Sequence, residues 1–511
     1  MVLKTTWFIA LFCTAVLIYS FKTVGGGKQL LTTQVVDTTS LGRTLALKYC
    51  EGCHLFTEPY LLDKSTWVEN VLPNMGMRLG LRDVGNDPFQ DLSPIDAAIL
   101  KELNIFPDSP LINRTDWDEI VKYYKNNAPE TPIIQKNVPT ASPLTHFTAS
   151  FRTFTKKTSP KTSLLKFNPA SSQLYIGDAH NELFILDSTF QLKANIRTPS
   201  PPADIDFTKS GGARLLTIGS IIPSDQKQGQ LIPLNKSNTF FKDLPRPVHF
   251  AASDINGDQK EDLVICGFGN HTGKLAWYDN SDQTKEHIIK ALPGARKVEI
   301  KDFDKDNKPD IIVLMAQAYE GISIFYNVGN GKFKERRVVD LPPVYGVSYF
   351  ELADFNNDGH DDILLTTGDN WDLSSIRKNY HGIRIYLNDG KNKFKESWFY
   401  PFYGTSKAMV RDFDNDGHLD IAAISFYADL DNPEESFIYL SGRGNLTFKS
   451  FSTPEAAHGK WLTMETGDFD QDGDLDIVLG SYFHNMTEMT KLMFNGITTF
   501  PQLLILTNKY K

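Results

Sequence analysis

Two thiols and an imidazole at Cys50-Glu51-Gly52-Cys53-His54 have the spacing that attaches a c-type haem. Cys50 and Cys53 can add to the two vinyl groups of a porphyrin, and His54 then reaches the iron as proximal ligand. A redox C-x-x-C pair or half of a zinc site needs no following histidine. No second Cys/His pair lies nearby to complete a zinc tetrahedron. His54 is the only histidine before His146, which leaves Met75 and Met77 for the sixth position. The stretch Leu72-Pro73-Asn74-Met75-Gly76-Met77 predicts a loop punctuated by proline and glycine. Met75, nearer the stiffening Pro73, is the expected ligand, with Met77 packed on the porphyrin edge. His/Met ligation suits electron transfer, because it raises the potential and leaves no open position on iron.

Carboxylates carry the second chemistry. One nine-residue pattern recurs five times, starting 48, 52, 58 and 56 residues apart. Its polar positions 1, 3, 5 and 9 are Asp254, Asn256, Asp258 and Asp262 in the first copy, and Asp302, Asp304, Asp306 and Asp310 in the second. Asp354, Asn356, Asp358 and Asp362 form the third, Asp412, Asp414, Asp416 and Asp420 the fourth, and Asp468, Asp470, Asp472 and Asp476 the fifth. Side-chain oxygens at these positions, with a backbone carbonyl at position 7, wrap one hard cation. A flexible cage of protein oxygens favours Ca²⁺ over Mg²⁺, so up to five calcium ions are expected. Gly359, Gly417 and Gly473 at position 6 permit the turn, Asn307 substitutes, and Gln259 departs from the pattern. An EF-hand is excluded, since no glutamate stands at position 12 and strand-like runs flank each loop.

The elements that must position these groups divide the chain. Ser40 predicts the cap of a helix through Tyr49 that presents the cysteines at its end. Ser93-Pro94 opens a helix to about Leu103, and Thr115-Asp116-Trp117-Asp118 starts another with Trp117, Ile120, Val121 and Tyr124 on one face. Three short helices would bury too little alone, so a covalent haem is expected to complete the core. The run Trp117 to Tyr124 with Ala128-Pro129 resembles the C-terminal helix of class I cytochromes c.

The acidic loops resemble FG-GAP/VCBS repeats, whose Asp-rich loops bind calcium in β-propellers; the likeness covers residues 245–511. Leu174-Tyr175-Ile176-Gly177 to Asp187, and Asp204 to Gly219, look like two further blades with degenerate loops, giving seven. As a whole the chain resembles bacterial FG-GAP/VCBS repeat proteins with an N-terminal haem domain. The expected fold is a small all-α cytochrome c domain (residues 35–128), a linker (129–150) and an all-β seven-bladed propeller (151–511).

Lys4 and the apolar run Trp7 to Tyr19 predict an export signal or uncleaved signal anchor over residues 1–27. The protein is expected in the periplasm or at the cell envelope, held there by the N-terminal segment where that segment is retained as an anchor. Cys266, in the apolar run Leu263-Val264-Ile265-Cys266, has no partner left for a disulfide. Five divalent cations would about cancel the formal charge of −9. No basic cluster with interleaved aromatics points to nucleic acid.

Three functions fit. The first is electron transfer through the haem, with the propeller recognising a periplasmic or membrane redox partner. The second is a haem-linked oxidoreductase acting on a carbohydrate or alcohol in the propeller funnel, and the third is a glycan-binding or adhesion module. The funnel residues expected opposite the acidic loops include Phe268, Asn270, Tyr319, Glu320, Trp371, Tyr380, His381, Arg246, Tyr345, Lys407, Lys460 and Trp461. Tryptophan-docking repeats of quinoprotein dehydrogenases are absent, and the electron carrier is favoured over an enzyme.

Overall fold

The computed structural model describes residues 40–510 except 84–86, 136–139, 156, 158, 210, 235–240 and 371–374. The expected signal segment 1–27 and Trp371 lie outside these residues. Among the described residues no helix is long and apolar enough to cross a membrane.

The first part is helical. The helix Leu41–Cys50 begins where the Ser40 side chain accepts the Arg43 amide, and it ends at the first cysteine. Pro94–Glu102 starts with Ser93 accepting the Asp96 amide and proline in the first turn. Arg114–Asn127 is capped by Asn113 rather than Thr115, and it buries Trp117, Ile120, Tyr123 and Tyr124. The helix Leu41–Cys50 meets it closely at Gly42, where a Cβ would come within 2.6 Å of the Tyr123 Cβ.

A further helix corrects the expected loop around Met75. Residues 64–78 run helically through Lys64–Thr66, a wider turn Trp67–Val71, and Leu72–Arg78. Pro73 breaks nothing, because it sits in the first turn of Leu72–Arg78, and the Leu72 amide bonds back five residues to the Trp67 carbonyl. Gly76 makes room for the Trp117 ring, which a Cβ would approach to 3.1 Å. Leu41–Cys50, the helical run 64–78 and Arg114–Asn127 therefore share a core around Trp67, Leu72, Trp117, Ile120 and Tyr124, to which Pro94–Glu102 adds no residue.

The second part is a propeller of seven sheets, each with four antiparallel blade strands. Blade one runs from Thr162 to Arg197, blade two from Pro202 to Leu244, and blade three from Pro247 to Lys290. Blades four to six span Ala295 to Asp340, Val347 to Pro401 and Thr405 to Ser452. The seventh is composite: Trp461–Gly467, Asp476–Ser481 and Leu503–Asn508 are joined by Phe147–Arg152 as outermost strand. That strand begins in the stretch expected to be linker and crosses its expected end at residue 150, and Ser142–Pro143, within that stretch, pairs with the sixth blade. Pairing the strand Phe147–Arg152 with the last strand of the chain ties the two ends of the propeller into one blade and closes the ring. Cys266 is buried with a free thiol in Asp262–Gly267.

Candidate functional site: a Cys/Cys/His turn, acidic loops and the docked face

The Cys50-to-His54 segment closes one turn at the end of the first helix. The Cys53 and His54 amides both donate to the Cys50 carbonyl, at 3.2 and 3.4 Å. Both thiols are free; Cys50 is half-buried and Cys53 exposed. The Nδ1 of His54 lies 2.9 Å from the Leu55 carbonyl, so a proton there leaves the Nε2 lone pair available. Burial, opposed in part by the Leu55 hydrogen bond and aided by the Arg78 charge, lowers the His54 pKa, which favours the neutral ring a metal ligand needs. Met75 packs on the same core as Cys50, while Met77 contributes its carbonyl to Arg82 at 3.1 Å. These residues fit a covalent haem.

Each acidic loop joins the innermost strand of a blade to the next strand, as at Ala295–Lys301 and Asp310–Met315. Position 1 accepts the amide of position 6: Asp302 Oδ2 from Asn307 at 2.8 Å, and Asp412 Oδ2 from Gly417 at 3.0 Å. Position 6 is left-handed in every copy, Gln259 included (φ 67°), and so is position 4. Position 4 was not legible in advance, since it is Gly257, Lys305, Asn357, Asn415 and Gln471.

Position 9, expected as a cation ligand, has a structural part of its own. Asp262, Asp310, Asp362, Asp420 and Asp476 are all buried. One carboxylate oxygen accepts the position-2 amide, and the other accepts an amide within two residues of the end of the third strand. In the fourth and fifth copies these are Phe413 and Gly442, and Phe469 and Asn508. The residue is thus a staple across the blade as well as a candidate ligand.

Three groups bring carboxylate oxygens within 4.8 Å of one another: Asp302, Asp304 and Asp306; Asp412, Asp414 and Asp420; and Asp468, Asp470 and Asp472. Asn256 and Asn356 replace the position-3 carboxylate in the first and third loops. There Asn256 donates to Asp279 at 3.2 Å and Asn356 to Asp358 at 2.9 Å. Asp474, a carboxylate at position 7 of the last loop, is buried with neither oxygen hydrogen-bonded, and Asp414 Oδ1 is likewise unpartnered. Burial and then neighbouring Asp472 push Asp474 up to about 6, and burial raises Asp476 to about 7. Unpartnered buried oxygens facing like charges fit a cation in the fourth and fifth loops.

The opposite face, expected to hold a ligand funnel, is docked against the helices. Asp96 accepts bonds from Ser224 Oγ (2.9 Å), the Asp225 amide (2.8 Å) and Gln226 Nε2 (3.0 Å). The Tyr380 hydroxyl donates to the Leu61 carbonyl at 3.0 Å, and Val344 and Ile376 pack on the helical core. Other expected funnel residues serve the blades themselves. Arg246 donates to the Ser220 and Ile221 carbonyls, Lys460 pairs with Glu488, and Trp461 is fully buried. Lys407 is on an innermost strand, where its Nζ donates to the Met464 carbonyl at 2.7 Å. It helps line a central channel of about 370 Å³ with Lys166, Asp204, His249, Tyr349 and Glu465. Sequence inspection missed this channel, because its charges come singly from strands far apart in the chain.

Residues 254–313, 302–365, 368–423 and 412–479 match the FG-GAP-like repeat family. No curated protein matches the chain. Among solved structures, the Neurospora crassa Pan2 WD40 domain is 11% identical, with 69% of this chain and 90% of that one covered and a TM-score of 0.39. A structure of BBS1N in complex with ARL6DN is also 11% identical, covering 69% and 93%, with a TM-score of 0.43. The chain therefore carries FG-GAP-like repeats in a seven-bladed β-propeller.

Proposed function

We propose that this protein is an exported electron carrier. One covalent haem would be held by Cys50, Cys53, His54 and Met75 on a calcium-binding propeller that recognises a periplasmic or membrane redox partner. The observation that carries the reading is the His54 ring, with Nδ1 at 2.9 Å from the Leu55 carbonyl and two free thiols in the adjoining turn. A backbone acceptor on one ring nitrogen fixes the tautomer and aims the other at a metal. When bound, the haem supplies one-electron chemistry at iron. The chain's own part is to keep His54 neutral, hold Met75 against the core that also packs Cys50, and shield the site from water with Trp67 and Trp117. In the loops, Asp412, Asp414 and Asp420, and Asp468, Asp470, Asp472 and Asp474, would hold Ca²⁺, whose charge relieves their mutual repulsion.

The docked face favours this reading over carbohydrate oxidation or glycan binding in the funnel, since Tyr380 and the loop at Asp225 are engaged by the helices. The face carrying the acidic loops is left for a partner. A redox titration of protein matured with haem tests the proposal: one reversible one-electron wave is expected, with the sulfur-to-iron absorption band lost in Met75→Ala. A Met75→Ala protein with the parent spectrum would remove Met75 from the ligand set.

A further inference from the structure

The guanidinium of Arg78 lies 2.9 Å from Nδ1 of His271, a residue of the third-blade loop between Asp262–Gly267 and Lys274–Tyr278. It also lies 5.4 Å from the centroid of the Phe106 ring, which meets the His271 ring edge-on at 5.6 Å. Arg78 follows Met75 by three residues on the helix Leu72–Arg78, so the two side chains leave the same side of that helix. Its charge reaches Tyr319, a propeller residue whose phenol is raised by burial and by Cys53 and lowered by Arg78. One cation thus stands between the helix of the expected distal methionine and two propeller side chains.

Arginine has only donors, so His271 Nδ1 accepts this bond and the ring is neutral. A long side chain on an exposed position samples many rotamers; the bond and the Phe106 contact restrict this one. We propose that Arg78, held in place by His271 of the propeller, is a positioning residue that raises the redox potential of the haem at Cys50–His54. The inference rests on the haem reading above. A fixed positive charge nearby penalises Fe(III), the more positive state, relative to Fe(II). The loop that holds Arg78 is itself tied down, since Asp225 accepts the Thr272 amide at 2.7 Å and its hydroxyl at 2.8 Å. The propeller therefore completes the electrostatic surroundings of the haem as well as carrying its domain.

The test is a spectroelectrochemical titration of the full-length, haem-loaded protein and three variants: Arg78→Met, His271→Ala, and Lys395→Met as an exposed charge on an outer strand of the fifth blade. At the parent midpoint, Arg78→Met is expected to favour the oxidised form by about threefold or more. His271→Ala should shift in the same direction by less, with a stronger dependence on salt as Arg78 becomes solvated. Lys395→Met should titrate like the parent. An unchanged midpoint in Arg78→Met, with the haem spectrum intact, overturns the inference and leaves the haem reading standing. Absence of covalent haem in the parent overturns both. Should Arg78→Met fail to mature, His271→Ala decides alone, and an unchanged midpoint and salt dependence there overturns the inference.

Discussion

The carboxylate of Asp96 accepts the backbone amide of Asp225 at 2.8 Å, across 129 positions of sequence. The same carboxylate takes the Ser93 hydroxyl at 2.6 Å, so one side chain both braces the capping serine of its helix and fastens the helix to the second blade. Burial alone would raise its pKa, but hydrogen bonds from Ser93, the Asp225 amide, Gln226 and Ser224 outweigh that and lower it.

Replacing Asp96 with alanine removes these acceptors and leaves the Asp225 amide without its partner. We expect a loss of about 2–4 kcal/mol in the stability of the docked helices. Limited proteolysis should then cut between residues 128 and 147 faster than in the parent. An unchanged cleavage rate would show that Asp96 does not hold the two parts together.

At position 9 of the fourth loop, Asp420 accepts the Phe413 and Gly442 amides and the Tyr439 hydroxyl, at 3.0, 2.7 and 2.7 Å. Asp420→Ala orphans all three and is expected to cost about 3–5 kcal/mol in urea unfolding, with or without calcium. A loss seen only in the presence of calcium would make Asp420 a ligand and not a staple.

Calcium should raise the melting temperature of the parent, by a free energy of about 3 kcal/mol at one hundred times the dissociation constant. In Asp474→Ala the metal-free protein should melt higher than the parent, because a buried unpartnered carboxylate is gone, and the gain from calcium should shrink. Equal melts of the parent in calcium and in chelator would leave the loops as turns.

Lys305 and Gln471 hold left-handed backbone at φ 63° and 66°, conformations that cost a side chain about 1 kcal/mol. Lys305→Gly and Gln471→Gly are each expected to stabilise by about 0.5 kcal/mol, after the entropy of the unfolded chain offsets part of the relief. Differential scanning calorimetry would register this as higher melting temperatures; lower ones would mean the side chains contribute more than the strain removes.

Burial favours the neutral form of Glu488, but hydrogen bonds from His484 and the Lys460 ammonium overcome it and hold the carboxyl at about 2. Its folded value lies below its unfolded one, so this stability is present above about pH 4.3 and is lost as pH falls toward 2. Burial also lowers the Lys460 ammonium, which puts the net worth at about 1 kcal/mol. Unfolding free energies measured from pH 5 to pH 2 should fall less steeply in Glu488→Gln than in the parent. Parallel curves would show that the pair does not titrate as described.

The acidic loops were legible because their oxygen side chains recur at fixed positions, whatever lies between them. The helix at residues 64–78 was hidden by Pro73 and Gly76, which break helices in most settings. Here the proline falls in a first turn and the glycine admits Trp117. The closing strand Phe147–Arg152 has no composition that distinguishes it from any short strand, and its partner Leu503–Asn508 lies at the far end of the chain. Docking was invisible for a similar reason: it depends on single polar groups such as Asp96 and Arg78, whose partners only the fold brings near.

The most direct test of the account is the visible spectrum and intact mass of the full-length protein produced with haem-attachment machinery. The account predicts a mass increase of one haem that survives denaturation, and a low-spin spectrum that is lost in Cys50→Ala/Cys53→Ala. A colourless protein of unmodified mass, with both thiols open to alkylation, would contradict it.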